Sequence, residues 1–489
     1  MVYCRNINEL PAELLEKTFR YLSLRSRITV RAVCQLWREI VPFETVQIID
    51  FDEIEKSDLL QPDIQLNKLL LTLAQLIGVG LKQIWFRDEL IGLSRDAFLA
   101  IATSCPELKV ITGRQLAVDI EALVECGLNL EKLCFCRYLP AARHSTRAFN
   151  ASIAKMFMHY CQRHLTWLEV YGLTQDDIEL FRILRGSMVK AVELWGTQLN
   201  DAALASFVDR CPNLFELRII GRNFIATAEA LSELGDWLRV LSLEGCSSLS
   251  YHHQSLEELP LHGISKVIQT CHNLTELNLA ECHGLLSFKF LIYAHCLTCL
   301  NLSHTKFEVS DIDYIIAAGS PLKQLYLSGT TAVGKRAVTK LLAGKFSLRI
   351  LDVSIKGQGH IRCTENRIDG YGRDVLLPNG WWIEDMLDVE LVEMLLNAMR
   401  SLEYLNLKSQ TQINNSIFKV ILEHAANLAE IDLYATGCTS EGLDEFVNQR
   451  ADRIINGFDL PVIVVKGVPM SYSVRDSEVQ CNSRVVSIC

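Results

Sequence analysis

The sequence predicts an α/β solenoid: a small helical module, then a long row of parallel strands with helices between them. Three observations carry this reading. A six-residue apolar phrase returns along most of the chain, helix-spaced apolar residues fill the intervals, and a short apolar-rich segment precedes the first phrase. At 489 residues the chain is longer than one compact core usually holds, so a repeat array or several domains is expected.

The phrase is apolar-x-x-apolar-x-apolar. It occurs as "LKQIWF" from Leu81, "LEKLCF" from Leu130, "LTWLEV" from Leu165, "VKAVEL" from Val189, "LFELRI" from Leu214 and "LRVLSL" from Leu238. It continues through "LTELNL" from Leu274, "LTCLNL" from Leu297, "LKQLYL" from Leu322, "LRILDV" from Leu348, "LEYLNL" from Leu402 and "LAEIDL" from Leu428. An imperfect copy, "LKVITG", starts at Leu108, and "FETVQI" from Phe43 reads as a capping strand. Alternation along a strand explains the pattern: in "LFELRI", Leu217 and Ile219 face the core while Glu216 and Arg218 face away. Between phrases, "NDAALASFVDRCPN" places Leu204, Phe207 and Val208 on one helical face. The step from Val189 to Leu214 is 25 residues and the next is 24, which resembles the leucine-rich repeat, about 20–29 residues with a strand and a helix per turn. That resemblance implies a curved solenoid with parallel strands on the concave face and helices on the convex face.

Seventeen cysteines without a secretory leader pattern point to free thiols in a reducing compartment, the cytoplasm or nucleus. Cys105, Cys211 and Cys271 each stand three residues before a phrase, and Cys246 and Cys282 each three after a strand leucine. Small, largely apolar side chains suit such internal corners, and the placement is similar to the cysteine-containing subclass of these repeats. "CLTC" at Cys296 and Cys299 has no second pair at zinc-site spacing, so no metal is expected. Hydrophobic residues at 49% against 22% charged mark a globular chain, and no run of about 18 apolar residues suggests a membrane span. A net charge of -10 disfavours nucleic acid and anionic lipid as partners.

The leading module spans 5–42. "LPAELLEKTFRYL" puts Pro11 at a helix start and Leu15, Phe19 and Leu22 on one stripe beside Leu14. "SLRSR" reads as a break, after which Ile28 to Ile40 resumes helical spacing through Val30, Val33, Cys34 and Trp37. So few residues cannot bury this much apolar surface among themselves. The pattern LPxxLLxxxFxYL followed by VCxxW resembles the F-box, the module that docks on the Skp adaptor of cullin-based ubiquitin ligases. The resemblance assigns adaptor binding or module core to Leu10, Pro11, Leu14, Leu15, Phe19, Leu22, Val33, Cys34 and Trp37. Thr18 stands where the family commonly has isoleucine, and Arg27 where it often has an acidic residue. The alternative is a plain helical cap for the solenoid.

Residues 43–80 form a linker with a capping strand and helix, and "LNKLLLTLAQLIGVGL" from Leu66 reads as a buried or amphipathic helix. About thirteen repeats fill 81–456, with insertions near 136–150, 245–263 and 355–386, all at the same phase of the repeat and so expected on one rim. In the tail, 457–489, "PVIVV" suits a capping strand and the remainder is expected to be mobile.

By the same resemblance the chain is a substrate receptor, not a catalyst; no phosphate-binding glycine loop, HExxH or GxSxG is present and no cofactor is expected. Its partners would be the Skp adaptor, through it the cullin and RING core, and a protein target. Strand alternation turns Trp167, Glu169, Tyr171, Glu193, Trp195, Arg218 and Tyr326 outward, and the last insertion carries Trp381 and Trp382. Aromatic anchors ringed by carboxylates favour a basic target. The alternative function is a scaffold that binds the adaptor without promoting ubiquitylation.

Overall fold

The computed structural model describes residues 10–43, 45–51, 62–86, 91–92, 94–112, 116–117, 127–136, 164–172, 188–196, 199–209, 211–221, 224–249, 263–355, 385–455, 462–468 and 486–488. Trp381, Trp382 and most of the three expected insertions lie outside these residues. The chain divides into two compact units, 1–219 and 220–489.

In the first unit three short helices, Ala12–Phe19, Leu24–Arg31 and Gln35–Ile40, precede the strands. The segment "SLRSR" is not the break the apolar spacing suggested. Ser23 accepts a hydrogen bond from the Ser26 N–H and so starts the second helix, while Val33 and Cys34 lie in the turn after it. Parallel strands follow at Ile48–Asp50, Gln83–Trp85, Val110–Thr112, Lys132–Cys136, Trp167–Tyr171 and Ala191–Trp195, each paired with the next. Register corrects the capping phrase. Ile49 pairs with Ile84 and Asp50 with Trp85, so the repeat begins at Val46 as "VQIIDF", three residues beyond "FETVQI". Phe51 then stacks on Phe86 at 5.2 Å, while Ile48 points outward. The helix Pro62–Ile77 buries Leu70, Leu73, Ala74 and Ile77, as its pattern predicts.

The second unit holds parallel strands at Val240–Ser242, Glu276–Asn278, Cys299–Asn301, Gln324–Tyr326, Ile350–Asp352, Tyr404–Asn406, Glu430–Asp432 and Ile463–Lys466. The tail supplies the expected capping strand and, in the stretch expected to be mobile, one strand more, Val486–Ile488, paired in parallel with Ile463–Val465. The register stacks Leu241, Leu277, Leu300, Leu325, Leu351, Leu405, Ile431 and Val465 in one column, every member at most 1% exposed. Burying one such side chain contributes about 1.5–3 kcal/mol.

The residue after the inward leucine has a second job. The side-chain oxygens of Asn278, Asn301, Asp352, Asn406 and Asp432 each accept the backbone N–H two residues on, at 2.9–3.0 Å, and fix the turn out of the strand. One residue beyond, Glu281, His304, Ser409 and Ala435 take left-handed backbone at φ 56–64°, as does Gly329 at 68°. A Cβ at the last position would meet the His304 ring at 2.2 Å, so a larger residue there requires that ring to move. Three of these strained residues continue the ladder through their N–H groups: Glu281 donates to the Ser303 carbonyl, His304 to that of Ser328 and Ser409 to that of Tyr434.

Cysteines occupy the corners as expected. Cys282 donates from its thiol to the Leu243 carbonyl at 3.1 Å, and Cys105 to that of Ala74 at 3.5 Å. Burial pushes the Cys105 and Cys271 thiols up to about 11, and that of Cys282 well above its usual value, so they stay protonated and unreactive.

The third expected insertion leaves the strand Ile350–Asp352 and returns before the helix Val389–Ala398. Both stems are tied by one buried side chain. Gln410 donates to the Val353 carbonyl at 2.8 Å and the Val333 carbonyl at 3.0 Å, and accepts from the Leu387 N–H at 3.0 Å. Replacement by leucine leaves three buried backbone groups unpaired. Gln410→Leu should therefore lower unfolding free energy by about 3 kcal/mol, read from urea denaturation; an unchanged midpoint would refute the tie.

Candidate functional site

Two surfaces carry the candidate residues. In the helical module, Leu15 and Phe19 are buried, and Phe19 meets Trp37 edge to face at 5.2 Å. They hold the helices together from inside and offer no face to a partner. Leu10, Leu22, Cys34 and Trp37 are half-buried and Pro11 is exposed as the N-cap of the first helix. The exposed apolar side chains of the module are Leu14, 49% exposed, Val33, 59% exposed, Leu36 and Tyr21, the last two lying outside the residues that the F-box resemblance assigns. The missed signal lay in helical phase: Leu36 precedes the buried-side Trp37, and Tyr21 follows the helix whose inner stripe ends at Phe19.

Arg27, one of the two departures from the F-box pattern, is 6% exposed. Its guanidinium donates to the carbonyls of Arg20 at 2.5 Å, Leu22 at 2.9 Å and Pro42 at 2.6 Å, and to the Thr45 hydroxyl at 2.8 Å. It bolts the end of the first helix to the chain leaving the third. An arginine here is a structural fork. Thr18 is exposed and donates to the Leu14 carbonyl at 2.8 Å.

The second surface is the open strand face of the first unit. Register sets Lys132 beside Trp167, Glu169 beside Glu193, and Tyr171 beside Trp195. Leu168, Val170, Val192 and Leu194 point the other way into the core. Tyr171 and Trp195 stack at 5.7 Å with their planes 11° apart. The Tyr171 hydroxyl donates to Glu169 at 2.5 Å and the Trp195 indole to Glu193 at 3.3 Å, so both rings are fixed by their own strands. Lys132 lies 4.1 Å over the Trp167 ring and 4.0 Å from Glu169. Arg218 reaches Glu216 at 2.6 Å and Glu193 at 3.7 Å.

Six of the predicted outward residues thus gather into one patch: Trp167, Glu169, Tyr171, Glu193, Trp195 and Arg218. Tyr326 belongs to the second unit. The aromatic residues are half-buried rather than freely exposed: Lys132 covers Trp167, and Tyr171 and Trp195 cover one another. Lys132 was missed; its signal was a basic residue at the outward position one repeat before Trp167. Three carboxylates, Glu169, Glu193 and Glu216, face two cations, and burial together with the neighbouring Glu169 raises the Glu193 carboxyl above its ordinary value. Among the described residues no group of three or more metal-ligating side chains occurs, and no helix is long and apolar enough to cross a membrane.

Residues 7–43 match the family described as F-box-like. The module is F-box-like. No curated protein matches the chain. Among solved structures, a chain of the Rad7 and Elc1 complex in yeast is 15% identical, with 99% of this chain and 98% of that chain covered and a TM-score of 0.35. An internalin, inlF, from Listeria monocytogenes str. 4b F2365 is 11% identical, with 79% and 93% covered and a TM-score of 0.34. Likenesses this loose add nothing to the fold, which rests on the strand register, or to function.

The raised Glu193 carboxyl has a sign that can be checked. A folded value above the unfolded one means that the ionised group costs stability at neutral pH, and that the cost fades as pH falls through the folded value toward the ordinary glutamate range. Glu193→Gln keeps an acceptor for the Trp195 indole. The variant should be more stable than the parent at pH 7, with the difference shrinking as pH falls toward the ordinary glutamate range, in paired thermal denaturation; a difference that does not change with pH would contradict it.

Proposed function

We propose that the chain is the substrate-recognition subunit of an Skp adaptor–cullin–F-box ubiquitin ligase. The observation that carries this reading is the F-box-like module, 7–43, with Leu14 and Val33 open to solvent beside a core closed by Leu15, Phe19 and Trp37. Scattered apolar residues are normal on a surface, but several in so small a module favour an interaction site. On this reading the adaptor's helices cover Leu14, Val33 and Leu36. The cullin and RING core follow through the adaptor, and the chemistry is theirs.

The target is held on the open strand faces. In the first unit Tyr171, Trp195 and Trp167 supply rigid aromatic area, the side chains most often found as anchors in protein interfaces. Glu169, Glu193 and Glu216 exceed Lys132 and Arg218 by one charge, which suits a target with a basic segment. The repeats fit the cysteine-containing subclass, given the buried thiols at Cys105, Cys211, Cys271, Cys246 and Cys282. Free thiols throughout the described residues suit the cytoplasm or nucleus.

Because Leu15 and Phe19 hold the module together, a docking test should leave them alone. Leu14→Lys with Val33→Lys should abolish capture of the Skp adaptor and cullin in a pull-down while the thermal transition stays within about 3 °C of the parent. Retained capture would sink the assignment of this face. Trp167→Ala with Trp195→Ala should keep adaptor capture and lose a bound target. Cells depleted of the protein should accumulate that target; unchanged turnover would favour the scaffold function instead.

A further inference from the structure

The first unit shows what this chain does with an outward aromatic beside a carboxylate: it seats a cation there. Lys132 lies over Trp167 next to Glu169. The second unit repeats the arrangement at Tyr434, which follows Asp432 by two residues and carries the Lys408 ammonium 4.8 Å over its ring.

A third set stands on the strands Gln324–Tyr326, Ile350–Asp352 and Tyr404–Asn406. Register places Tyr326 beside Asp352 and Ile350 beside Tyr404. Adjacent strands are about 4.8 Å apart. The two tyrosines are two strands across and two residues along from each other, and so stand about 12 Å apart with Asp352 and Ile350 between them. A cation is held within about 6 Å of a ring centroid, so both rings can reach one guanidinium placed between them. The four side chains are half-buried. Among the described residues neither lysine nor arginine pairs with Asp352 or lies over either ring.

Structure alone does not account for the charge of Asp352. One oxygen accepts the Ser354 N–H at 3.0 Å and the other the Asn406 amide at 3.1 Å. The turn bond is the one that Asn278, Asn301 and Asn406 make with a neutral amide at the equivalent position of their own repeats. Each carboxylate oxygen keeps a free lone pair. The surrounding field is negative as well. After burial, Tyr326 is acted on by Cys299, Asp352 and Glu276, and Tyr404 by Asp352, Asp432, Glu430 and Tyr326, with Glu430 offset by Lys466 at 2.5 Å. Burial first, and those charges second, push both phenols up to about 12, so the rings stay neutral at any physiological pH.

We propose that Tyr326, Asp352 and Tyr404 form a clamp for one arginine side chain of a partner protein, with Ile350 as its apolar floor. Arginine is favoured over lysine because its planar, weakly hydrated guanidinium stacks on rings while donating in a fork to a carboxylate. The clamp deepens the receptor reading, on which it rests for the identity of the partner as a target, and gives that target's basic segment a specific residue.

The test uses the full chain and a fluorescein-labelled Gly-Gly-Arg-Gly-Gly peptide, with its lysine and citrulline counterparts, in anisotropy titrations carried to millimolar protein. The arginine peptide should bind at least tenfold tighter than either counterpart. Asp352→Asn, whose turn bond its asparagine neighbours already make, should remove that advantage, as should Tyr326→Ala with Tyr404→Ala. The double phenylalanine variant should keep it. Equal binding of the arginine and citrulline peptides, or an undiminished advantage in Asp352→Asn, overturns the clamp, and equal binding of the lysine peptide overturns the choice of guanidinium. Binding that emerges only after Arg362, Arg367 and Arg373 are changed to glutamine would assign the arginine to this chain and overturn the partner. Adaptor capture by Asp352→Asn is measured alongside. Lost capture by the unmodified chain with intact peptide binding would remove the ligase reading and leave the clamp.

Discussion

Each repeat buries too little apolar surface to fold alone, and the parallel register of neighbouring strands makes up the deficit. Once Leu277 is hydrogen-bonded in register with Leu241 on one side and Leu300 on the other, their side chains form a continuous column. The same stacking in the first unit aligns Ile49, Ile84, Ile111, Leu133, Leu168 and Val192. Stability is then a sum of nearest-neighbour contacts rather than of one central core. A slip of one residue would turn the whole column to solvent, and that constraint fixes which side chains are available to partners.

The open face inherits its order from the column. Because the inward residues alternate with outward ones, the polar residues also stand in rows, and each row has taken a different task. One row closes the turns through Asn278, Asn301, Asp352, Asn406 and Asp432, and after Asn278, Asn301 and Asn406 left-handed backbone follows without breaking the ladder. Rows carrying aromatic side chains meet carboxylates of neighbouring strands. In the first unit these groups find Lys132 and Arg218 within the chain, so that patch is rigid and nearly balanced in charge. A preorganised surface of that kind loses little side-chain freedom when a partner docks.

The helical module obeys a different economy. Its helices are too short to be stable by themselves, and Leu15, Phe19 and Trp37 make a small core. Arg27 compensates by gathering three backbone carbonyls and a hydroxyl in one buried fork. The apolar groups left outside, Leu14, Val33 and Leu36, are those the module cannot cover.

Much of this was legible in the sequence, and the reason is periodicity. A phrase with inward residues two apart, repeated at near-constant steps, permits one register, so the strands, the intervening helices, the corner cysteines and the outward placement of Trp167, Tyr171, Trp195 and Arg218 all followed from pattern alone. Where periodicity was weak the reading slipped: the capping phrase by three residues to Val46, the module's second helix past its Ser23 cap, and the final strand Val486–Ile488 altogether. The tertiary structure decided what no spacing records, namely which polar groups meet. Arg27 reads as a surface charge until the carbonyls of Arg20, Leu22 and Pro42 surround it, and Gln410 reads as loop until it ties Val333, Val353 and Leu387. Lys132 becomes part of the aromatic patch only because its strand pairs with that of Trp167, 35 residues away in the chain. Apolar burial is set by local order along the chain, whereas polar partnership depends on geometry between distant segments, which only the fold supplies.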